Sequence, residues 1–510
     1  MPEKSILSTD SFIKEVSDEL DKIPIAKLNN EIKLSSQWIK DLERQLWQVA
    51  EVENQICKVL CSVGLLLQRI GSNLKAKKIY QKIVHLFLDP SQLKDNYTKT
   101  LIVFLHNNND LDHITPVIFK WVRKINSRVI VLWAPDGNID HRNCNDLIQY
   151  LINLTHVCFI ELNIYVEQTI YLSQKYYEND CLTYDMVQYG LAYTIIENYL
   201  SSSRQGVFVA DHYITLTTCG FCVAAKKMNI KCVSLPHSEA VILPYNRKIK
   251  SNDLSVNKLK RGHAAWNWNK KTFGYFNYVV FPCKMNAEGS GYIPTEKKII
   301  LGSARNSSEW INELSGVIPK IKIPNADKKL KIVLFIPSEG YIINIDEIIN
   351  TIKMIMNFPD IFLIVKLHPR ETNFEKRLSH EENLMQLKNT SYLLYMGNNI
   401  YTPLLVEWGD IFLTIATGVS YQILRYKKPV LELSYLMGFK TVLTEFFPVT
   451  DIRTRDMLIE LIWIFKKMSQ KERTHYFYDL EELNAFLSFF LEPSGKSVLD
   501  NYVNFLSGLC

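Results

Sequence analysis

The sequence predicts an α/β protein in which two doubly wound parallel sheets face each other across a cleft. From about residue 98, short β-rich runs alternate with helical stretches, and a second series of the same kind follows the first. Strands that alternate with helices form a parallel sheet covered on both faces. A chain of 510 residues is also too long for one ordinary core. Two domains are therefore expected, and the cleft between them is the default ligand site.

The first series contains six strand-length apolar runs, at residues 100–105, 128–133, 156–161, 206–210, 231–235 and 278–281. The second series also contains six, at residues 298–301, 331–336, 361–367, 392–395, 411–414 and 429–433. We expect an N-terminal domain over residues 96–285 and a C-terminal domain over residues 286–490. Polar residues that follow these strands should lie at the carboxyl edges, where doubly wound sheets bind ligands.

Both ends of the chain have helical periodicity. Between residues 31 and 87, apolar residues recur at three- and four-residue spacing, as in Trp38, Leu42 and Leu46. We interpret residues 1–95 as a helical accessory segment for docking or for homo-oligomer formation. Helical periodicity returns in the last sixty residues, and residues 491–510 form a predicted C-terminal tail.

The composition limits which partners the protein can bind and where in the cell it is expected. The net charge is +6, and the basic clusters at 247–250 and 258–261 are short, so no nucleic-acid partner is expected. The slight basic excess fits an anionic substrate or the inner face of a membrane, and it fits a solvated loop equally well. No apolar stretch approaches the roughly 20 residues of a membrane span, and the N-terminus lacks a signal-peptide pattern. These features predict a cytoplasmic protein, at most peripheral on the inner membrane face.

Ten cysteines are scattered without a disulfide framework. Cys219 and Cys222, three residues apart, are the closest pair, and a zinc site would need a second pair of ligands. Cys232 and His237 bracket an apparent strand, which is a poor ligand turn. We interpret the pair as buried thiols, with a redox pair as the alternative, and we expect no metal site.

The sharpest local signal is the end of the strand at 361–367, which leads into His368, Pro369 and Arg370. A diphosphate needs fixed donors at such an edge, and an arginine fork with an imidazole N–H supplies them. The alternative is a strand-ending turn with solvated charges.

Two further turns follow strands of the same series. Ser338 and Glu339 follow the strand at 331–336, and their turn could point backbone N–H groups at a phosphate. Thr417 and Ser420 follow the strand at 411–414 and precede an apparent helix. Hydroxyls and N–H groups at a helix N-terminus form an anion site, although a plain N-cap explains them too.

The His368-Pro369 pair, followed some fifty residues later by the hydroxyl turn and then by residues 425–431, resembles GT-B enzymes of capsule and teichoic-acid synthesis. It is similar to the histidine-proline motif of bacterial sialyltransferases and capsule Kdo transferases, and CDP-glycerol glycerophosphotransferases carry a similar arrangement. The resemblance covers roughly residues 297–435. It implies a GT-B-like pair of Rossmann domains facing a cleft, with added N-terminal and C-terminal helices.

By that resemblance, His368, Thr417 and Ser420 hold the phosphates of a CMP- or CDP-linked nucleotide-sugar donor, with Arg370 as an addition. Thr417 and Ser420 are separated where the family more usually has adjacent hydroxyl residues, so a UDP-linked donor stays open. Arg305 looks like a donor-phosphate contact, or else part of an inter-domain turn. Glu407 sits where such proteins often place an acidic residue near the donor sugar or ribose, and a surface carboxylate is the alternative.

A transferase also needs a base for the acceptor hydroxyl. Asp211 and His237 each follow a strand of the first series, and Glu239 could orient His237. The alternatives are a helix N-cap for Asp211 and a core or capping histidine for His237.

The expected function is therefore a metal-independent glycosyltransferase that moves a sugar from a nucleotide-sugar donor to a glycan or lipid-linked acceptor in bacterial surface or capsule polysaccharide synthesis. No cofactor beyond the donor is expected. A polyol-phosphate transferase or a sugar-nucleotide epimerase on the same fold remains an alternative. A non-catalytic binding subunit is the third interpretation.

Overall fold

The computed structural model describes residues 99–106, 108–133, 146–161, 196, 205–212, 216–236, 239, 241, 272–291, 293–317, 323, 326, 329–337, 344–368, 392–395, 401–437, 440–493, 495 and 497–510. The predicted helical accessory segment at 1–95 lies outside these residues.

The first sheet has seven strands, and every pair in it is parallel. The strands are β1 (Lys99–Leu105), β2 (Ser127–Trp133), β3 (Val157–Glu161), β4 (Gln205–Asp211), β5 (Lys231–Leu235), β6 (Tyr278–Phe281) and β7 (Lys298–Ile300). Their order is β3-β2-β1-β4-β5-β6-β7, so the winding direction reverses between β1 and β4. A crevice opens at such a point, outside the carboxyl ends of the strands.

Helices cover both faces of this sheet. They are α1 (Asn108–Lys124), α2 (Asp146–Asn153), α3 (Leu216–Lys227), α4 (Lys284–Gly289) and α5 (Ser308–Val317), with 3₁₀ turns at Thr272–Tyr275 and Thr295–Lys297. Successive side chains of a strand point to opposite faces. Accordingly Leu101 and Val103 of β1 join a core beneath α1, α2 and α5, whereas Ile102 and Phe104 join a core with α3.

The second sheet has six parallel strands. They are β8 (Leu330–Ile336), β9 (Ile361–Leu367), β10 (Tyr392–Tyr395), β11 (Ile411–Thr414), β12 (Val430–Leu433) and β13 (Asp451–Ile452). The order is β10-β9-β8-β11-β12-β13, and the winding reverses between β8 and β11. The two sheets are separate, as the sequence predicts.

The helices of the second half are α6 (Ile345–Met356), α7 (Thr402–Trp408), α8 (Val419–Arg425), α9 (Val442–Phe446), α10 (Arg455–Lys466), α11 (Gln470–Phe477), α12 (Leu480–Leu491) and α13 (Val498–Leu509). Two 3₁₀ turns lie at Ser434–Leu436 and Pro448–Thr450. One apolar core fills the sheet and the helices as far as α12.

The placement of residues 298–300 corrects the predicted restart of the pattern. This run is not the first strand of the second sheet, because β7 pairs with β6 and closes the first sheet. Its apolar pattern gave no information about which sheet it would join. Helix α5 also packs on the first sheet, where Trp310 lies against Phe119 and Tyr150. The chain therefore changes sheets between residues 300 and 330, while the predicted domain limits of 96–285 and 286–490 stay predictions.

The C-terminal helix α13 crosses back to the first sheet. Leu499, Val503 and Leu506 are buried in the core beneath α1. The Tyr502 hydroxyl donates to the Gly302 carbonyl over 2.9 Å. Gly302 has φ +100°, and a Cβ there would lie 2.6 Å from the Leu491 carbonyl oxygen and 2.8 Å from a Val498 methyl. The crossing is therefore packed too closely for any residue but glycine at this position.

Candidate functional site

Polar residues collect at the carboxyl edges of both sheets, next to the points where the winding reverses. In the first sheet, His106 follows β1 and Asp211 ends β4. In the second sheet, residues 415–418 follow β11, and His368 follows β9 two strands away. Because β9, β8 and β11 are parallel neighbours, His368 and Thr417 lie at the same edge. Ser338, Glu339 and Arg370 are outside the described residues, so their predicted roles stay predictions.

The turn after β11 is held by a buried carboxylate. Ala416 has φ +45°, and its N–H donates to Glu432 of β12. The Thr414 hydroxyl donates to Glu432 over 2.8 Å, and the Ser420 hydroxyl donates to Thr414 over 3.4 Å. Burial raises the pKa of Glu432 to about 7, although the Ala416 N–H and the Thr414 hydroxyl oppose the rise. Glu432 was not predicted as a site residue, and its only signal is one acid in an apolar strand.

The structure favours local roles for the two predicted hydroxyls. Thr417 Oγ1 accepts the Val419 N–H over 3.3 Å, which is a local contact just before α8, whose N-cap residue is Gly418. Ser420 is buried and bonded to Thr414 within the same turn. Their predicted contacts to a donor phosphate stay predictions.

Two basic side chains mark the end of β9. His368 is half-buried just beyond the strand, and Lys366 is buried within it. Burial lowers the pKa of Lys366 to about 8, against the opposing effect of the Asp112 carboxylate. Asp112 belongs to α1 of the first sheet, so this lysine lies where the two halves meet.

A largely buried charge network, the cleft bridge, joins the halves through Arg305, Glu239, Asp112 and Tyr401. Arg305 Nε lies 3.1 Å from Glu239 Oε1, and Nη2 bonds Glu239 Oε2. Arg305 Nη1 lies 3.0 Å from Asp112 Oδ2, and the Tyr401 hydroxyl donates to Asp112 Oδ1 over 2.6 Å. Tyr401 immediately precedes α7 of the second half. The bridge therefore runs from β5, through the loop after β7 and helix α1, to the second domain.

Further contacts fix both ends of this network. Glu239 also accepts from Ser303 Oγ over 2.6 Å and from Asn306 Nδ2 over 2.8 Å. A Cβ at Gly418 would lie 3.0 Å from Arg305 Nη2, so the turn after β11 rests against the guanidinium. Burial alone would lower the pKa of Arg305, but the neighbouring carboxylates of Glu239 and Asp112 raise it above its ordinary value.

Three predicted residues can be compared with this network. Arg305 uses three nitrogens on carboxylates, an arrangement that favours the inter-domain turn over a donor contact. Glu239 binds Ser303, Arg305 and Asn306, and its predicted partner His237 is outside the described residues. Glu407 is half-buried in α7. Donor contacts for Arg305 and Glu407, and an orienting role for Glu239, stay predictions.

The predicted base Asp211 belongs to a second buried group, the His106 cluster, which consists of His106, Asp110 and Asp211. His106 Nδ1 lies 2.5 Å from Asp110 Oδ2. Burial raises the pKa of Asp110 to about 6; His106 opposes this rise, and the Asp211 carboxyl adds to it. The His212 N–H donates to Asp211 over 2.5 Å. Helix α3 begins at Leu216, so the predicted N-cap role of Asp211 stays untested.

The remaining predictions concern metals, thiols and membranes. Among the side chains that the structure describes, Cys158, Cys222, Cys232, Cys283 and Cys510 are not joined in disulfide bonds. Among the described residues, no group of three or more histidine, cysteine or acidic side chains is arranged to hold a metal ion. Within the same part of the chain, every helix is too short or too polar to cross a bilayer.

Comparisons with known proteins identify the architecture. No family model and no curated protein matches the sequence. The structure of a UDP-N-acetylglucosamine 2-epimerase matches 81% of this chain and 96% of its own, with a TM-score of 0.51 and 12% identity. A Listeria monocytogenes protein assigned the same activity matches 79% and 94%, with a TM-score of 0.50 and 12% identity. The wall teichoic acid polymerase TagF matches 90% and 98% at 14% identity, with a TM-score of 0.44. At these identities the likeness concerns the fold, and the chain has the GT-B-type architecture of two Rossmann-like domains.

Proposed function

We propose that this protein is a sugar-nucleotide-dependent transferase that binds its donor in the second domain and its acceptor against the first. The observation that carries the proposal is that the cleft bridge links the two sheets near their carboxyl edges. At each of these edges the winding reverses and buried polar groups collect. Doubly wound sheets bind ligands outside the carboxyl ends of their strands at such points. One edge would bind the donor and the other the acceptor, so that the two substrates meet between the domains.

The donor edge would recognise a diphosphate or phosphate ester. His368 lies at this edge, and Arg370 follows it by two residues. The turn at Thr417 follows β11 at the winding reversal between β8 and β11, and Ser338 and Glu339 follow β8 in the sequence. Imidazole, guanidinium and hydroxyl donors would stabilise the charge that develops on the departing phosphate.

The acceptor edge would supply the base. Asp211 lies at the reversal between β1 and β4, and His237 follows β5 by two residues. Either could remove the acceptor proton while the acceptor oxygen attacks the anomeric carbon and the bond to phosphate breaks. Domain closure would bring the two edges to reaction distance.

The proposal also includes the nucleotide of the donor and the pathway in which the protein acts. The resemblance carried by the His368-Pro369 motif supports CMP- and CDP-linked donors. UDP-linked donors are supported because two structures with this fold are UDP-N-acetylglucosamine 2-epimerases. A glycan or lipid-linked acceptor in surface polysaccharide synthesis, and a cytoplasmic location on the inner membrane face, complete it.

A thermal-shift screen against CMP, CDP, UDP and GDP tests donor binding. A ligand that binds only the folded protein stabilises it by about 2.7 kcal/mol at 100 times its Kd, so one nucleotide should raise Tm clearly above the others. His368→Ala should reduce that shift, whereas His475→Ala, at an exposed position of α11, should leave it unchanged. An absence of response to all four nucleotides would contradict the proposal and favour a non-catalytic binding subunit.

Product analysis separates the transferase from the epimerase. A transferase incubated with its nucleotide-sugar releases free nucleotide as the sugar moves to an acceptor or to water. A 2-epimerase that completes its cycle returns an intact nucleotide-sugar with an inverted carbon. Chromatography of the nucleotide pool, with NMR of the sugar, would distinguish these outcomes.

A further inference from the structure

The His106 cluster occupies the position where the first sheet changes winding direction. His106 follows β1, Asp211 ends β4, and these two strands are neighbours with parallel register. Asp110 lies in the first turn of α1. Three titratable groups from three elements thus meet at the sheet edge where a ligand of this domain would bind.

The geometry fixes the orientation of the histidine ring. Asp110 Oδ2 accepts the His106 backbone N–H over 2.7 Å and lies 2.5 Å from the ring Nδ1. The ring is stacked with Phe104, with centroids 6.0 Å apart. All three cluster residues are at least 97% buried. A carboxylate that receives Nδ1–H selects the neutral tautomer in which Nε2 carries the lone pair.

The two carboxyl groups allow the His106 cluster to bind one further proton on the imidazole. The Asp211 carboxyl adds to the rise in the pKa of Asp110, because a neighbouring carboxylate disfavours its charge. With one carboxyl ionised toward His106, the imidazolium that forms on protonation is stabilised by a neighbouring negative charge. Stability alone gives little reason for this arrangement, because replacing buried charged groups with packed apolar ones is often neutral or stabilising.

We propose that His106 is the catalytic base of the transferase, and that Asp110 is the residue that positions it. His106 Nε2 takes the proton from the acceptor hydroxyl as that oxygen bonds to the anomeric carbon of the donor. The bond between that carbon and the phosphate oxygen breaks, and its electron pair leaves with the nucleotide. The inference rests on the proposed function, and it assigns to His106 the role that the sequence motifs suggested for Asp211 or His237.

His106→Asn is the discriminating variant. Its amide nitrogen can replace Nδ1 as donor to Asp110, so the structural contact is retained while Nε2 is lost. His156→Asn is the matched control, because His156 is exposed and has φ +70°, a conformation that asparagine tolerates. Nucleotide release is measured with UDP-, CMP-, CDP- and GDP-linked sugars, where water replaces the acceptor. Binding of the free nucleotides is measured in parallel.

We expect His106→Asn to slow nucleotide release by about 10²–10⁴-fold, with nucleotide binding unchanged within twofold. The control should match the wild type in both. If His106→Asn retains binding and releases nucleotide within threefold of the wild type, His106 is not the base and the proposed function stands. If the wild type binds no nucleotide, the proposed function itself fails. Binding without release from any donor also rejects His106, because a base facing the donor would activate water.

A pH profile of Asp110→Asn keeps the proposal testable if His106→Asn does not fold. A base must be unprotonated, so release should fall below the pKa of His106. Removing the Asp110 charge lowers the pKa of that imidazole, and the acidic limb should move to lower pH. Asp211 of β4, His212, and Asp112 and His113 of α1 are further described titratable groups near the cluster, and all are unchanged in the variant. An acidic limb that does not move would overturn the positioning role of Asp110.

Discussion

Replacing Arg305 with methionine tests whether the cleft bridge holds the two domains together. The substitution keeps an unbranched apolar side chain and removes the guanidinium that joins Glu239 to Asp112. Two carboxylates then stay in the interface without their cation. Glu239 is the more strongly affected, because its side chain is only 2% exposed.

The expected loss in the free energy of unfolding follows from what each carboxylate retains. Removing one partner of a buried ion pair typically costs about 3–5 kcal/mol. Glu239 keeps its bonds from Ser303 and Asn306, and Asp112 keeps the Tyr401 hydroxyl. We therefore expect the lower end, about 3 kcal/mol. Adding Glu239→Gln should restore part of the loss, since a neutral amide is less costly to bury than an unpaired carboxylate.

Urea denaturation, followed by circular dichroism and by tryptophan fluorescence, measures these differences, and coincident curves check the two-state assumption. Arg455→Met is the control, because Arg455 pairs with Glu347 at the surface with 45% of its side chain exposed. Such exposed pairs contribute about 0–1 kcal/mol. An Arg305→Met loss no larger than the control, with no recovery in the double variant, would refute the reasoning.

Three further predictions can be checked by the same denaturation experiments. Gly418→Ala should destabilise by about 1 kcal/mol, because its Cβ would lie 3.0 Å from Arg305 Nη2; the loss should shrink in the Arg305→Met background, and a stabilised variant would contradict this. Glu432 has a pKa raised from 4.5 to about 7 by burial, so the folded state holds a proton that the unfolded state releases. The wild-type stability contribution of this residue falls as pH rises from about 4.5 to 7, and Glu432→Gln should flatten that fall; an unchanged slope would exclude Glu432 as its source. Lys428→Met should cost about 1–2 kcal/mol, because Nζ donates to the Val406, Glu407 and Gly409 carbonyls at the end of α7; exposed Lys427→Met is the control, and equal losses would show that these bonds contribute nothing.

The sheets could be predicted from the sequence because buried parallel strands are continuous apolar runs. Runs such as residues 331–336 and 361–367 carry that signal locally and became β8 and β9. The run at 298–300 carries the same signal, but nothing in it specifies its neighbour. Its assignment to the first sheet depends on pairing with β6, which is a non-local property.

The candidate site was less predictable for the same reason. Glu239 and Arg305 were both identified as polar residues after strands, but their mutual ion pair spans 66 residues and the link to Asp112 spans 193. Charge pairing over such separations leaves no spacing in one sequence. His106 and Asp110 are different, because they stand four residues apart directly after β1. That local pattern could have identified the cluster before the structure did.

The return of α13 to the first sheet has a consequence for the order in which the chain folds during synthesis. Leu499, Val503 and Leu506 complete the core beneath α1, although β1 begins about four hundred residues earlier. A ribosome would have made every other described strand and helix before these side chains emerge. The first domain must therefore wait, with part of its apolar surface exposed, until the second domain has been made. Truncation before residue 498 should thus damage the domain encoded first, while the core of the second domain, which ends with α12, stays complete.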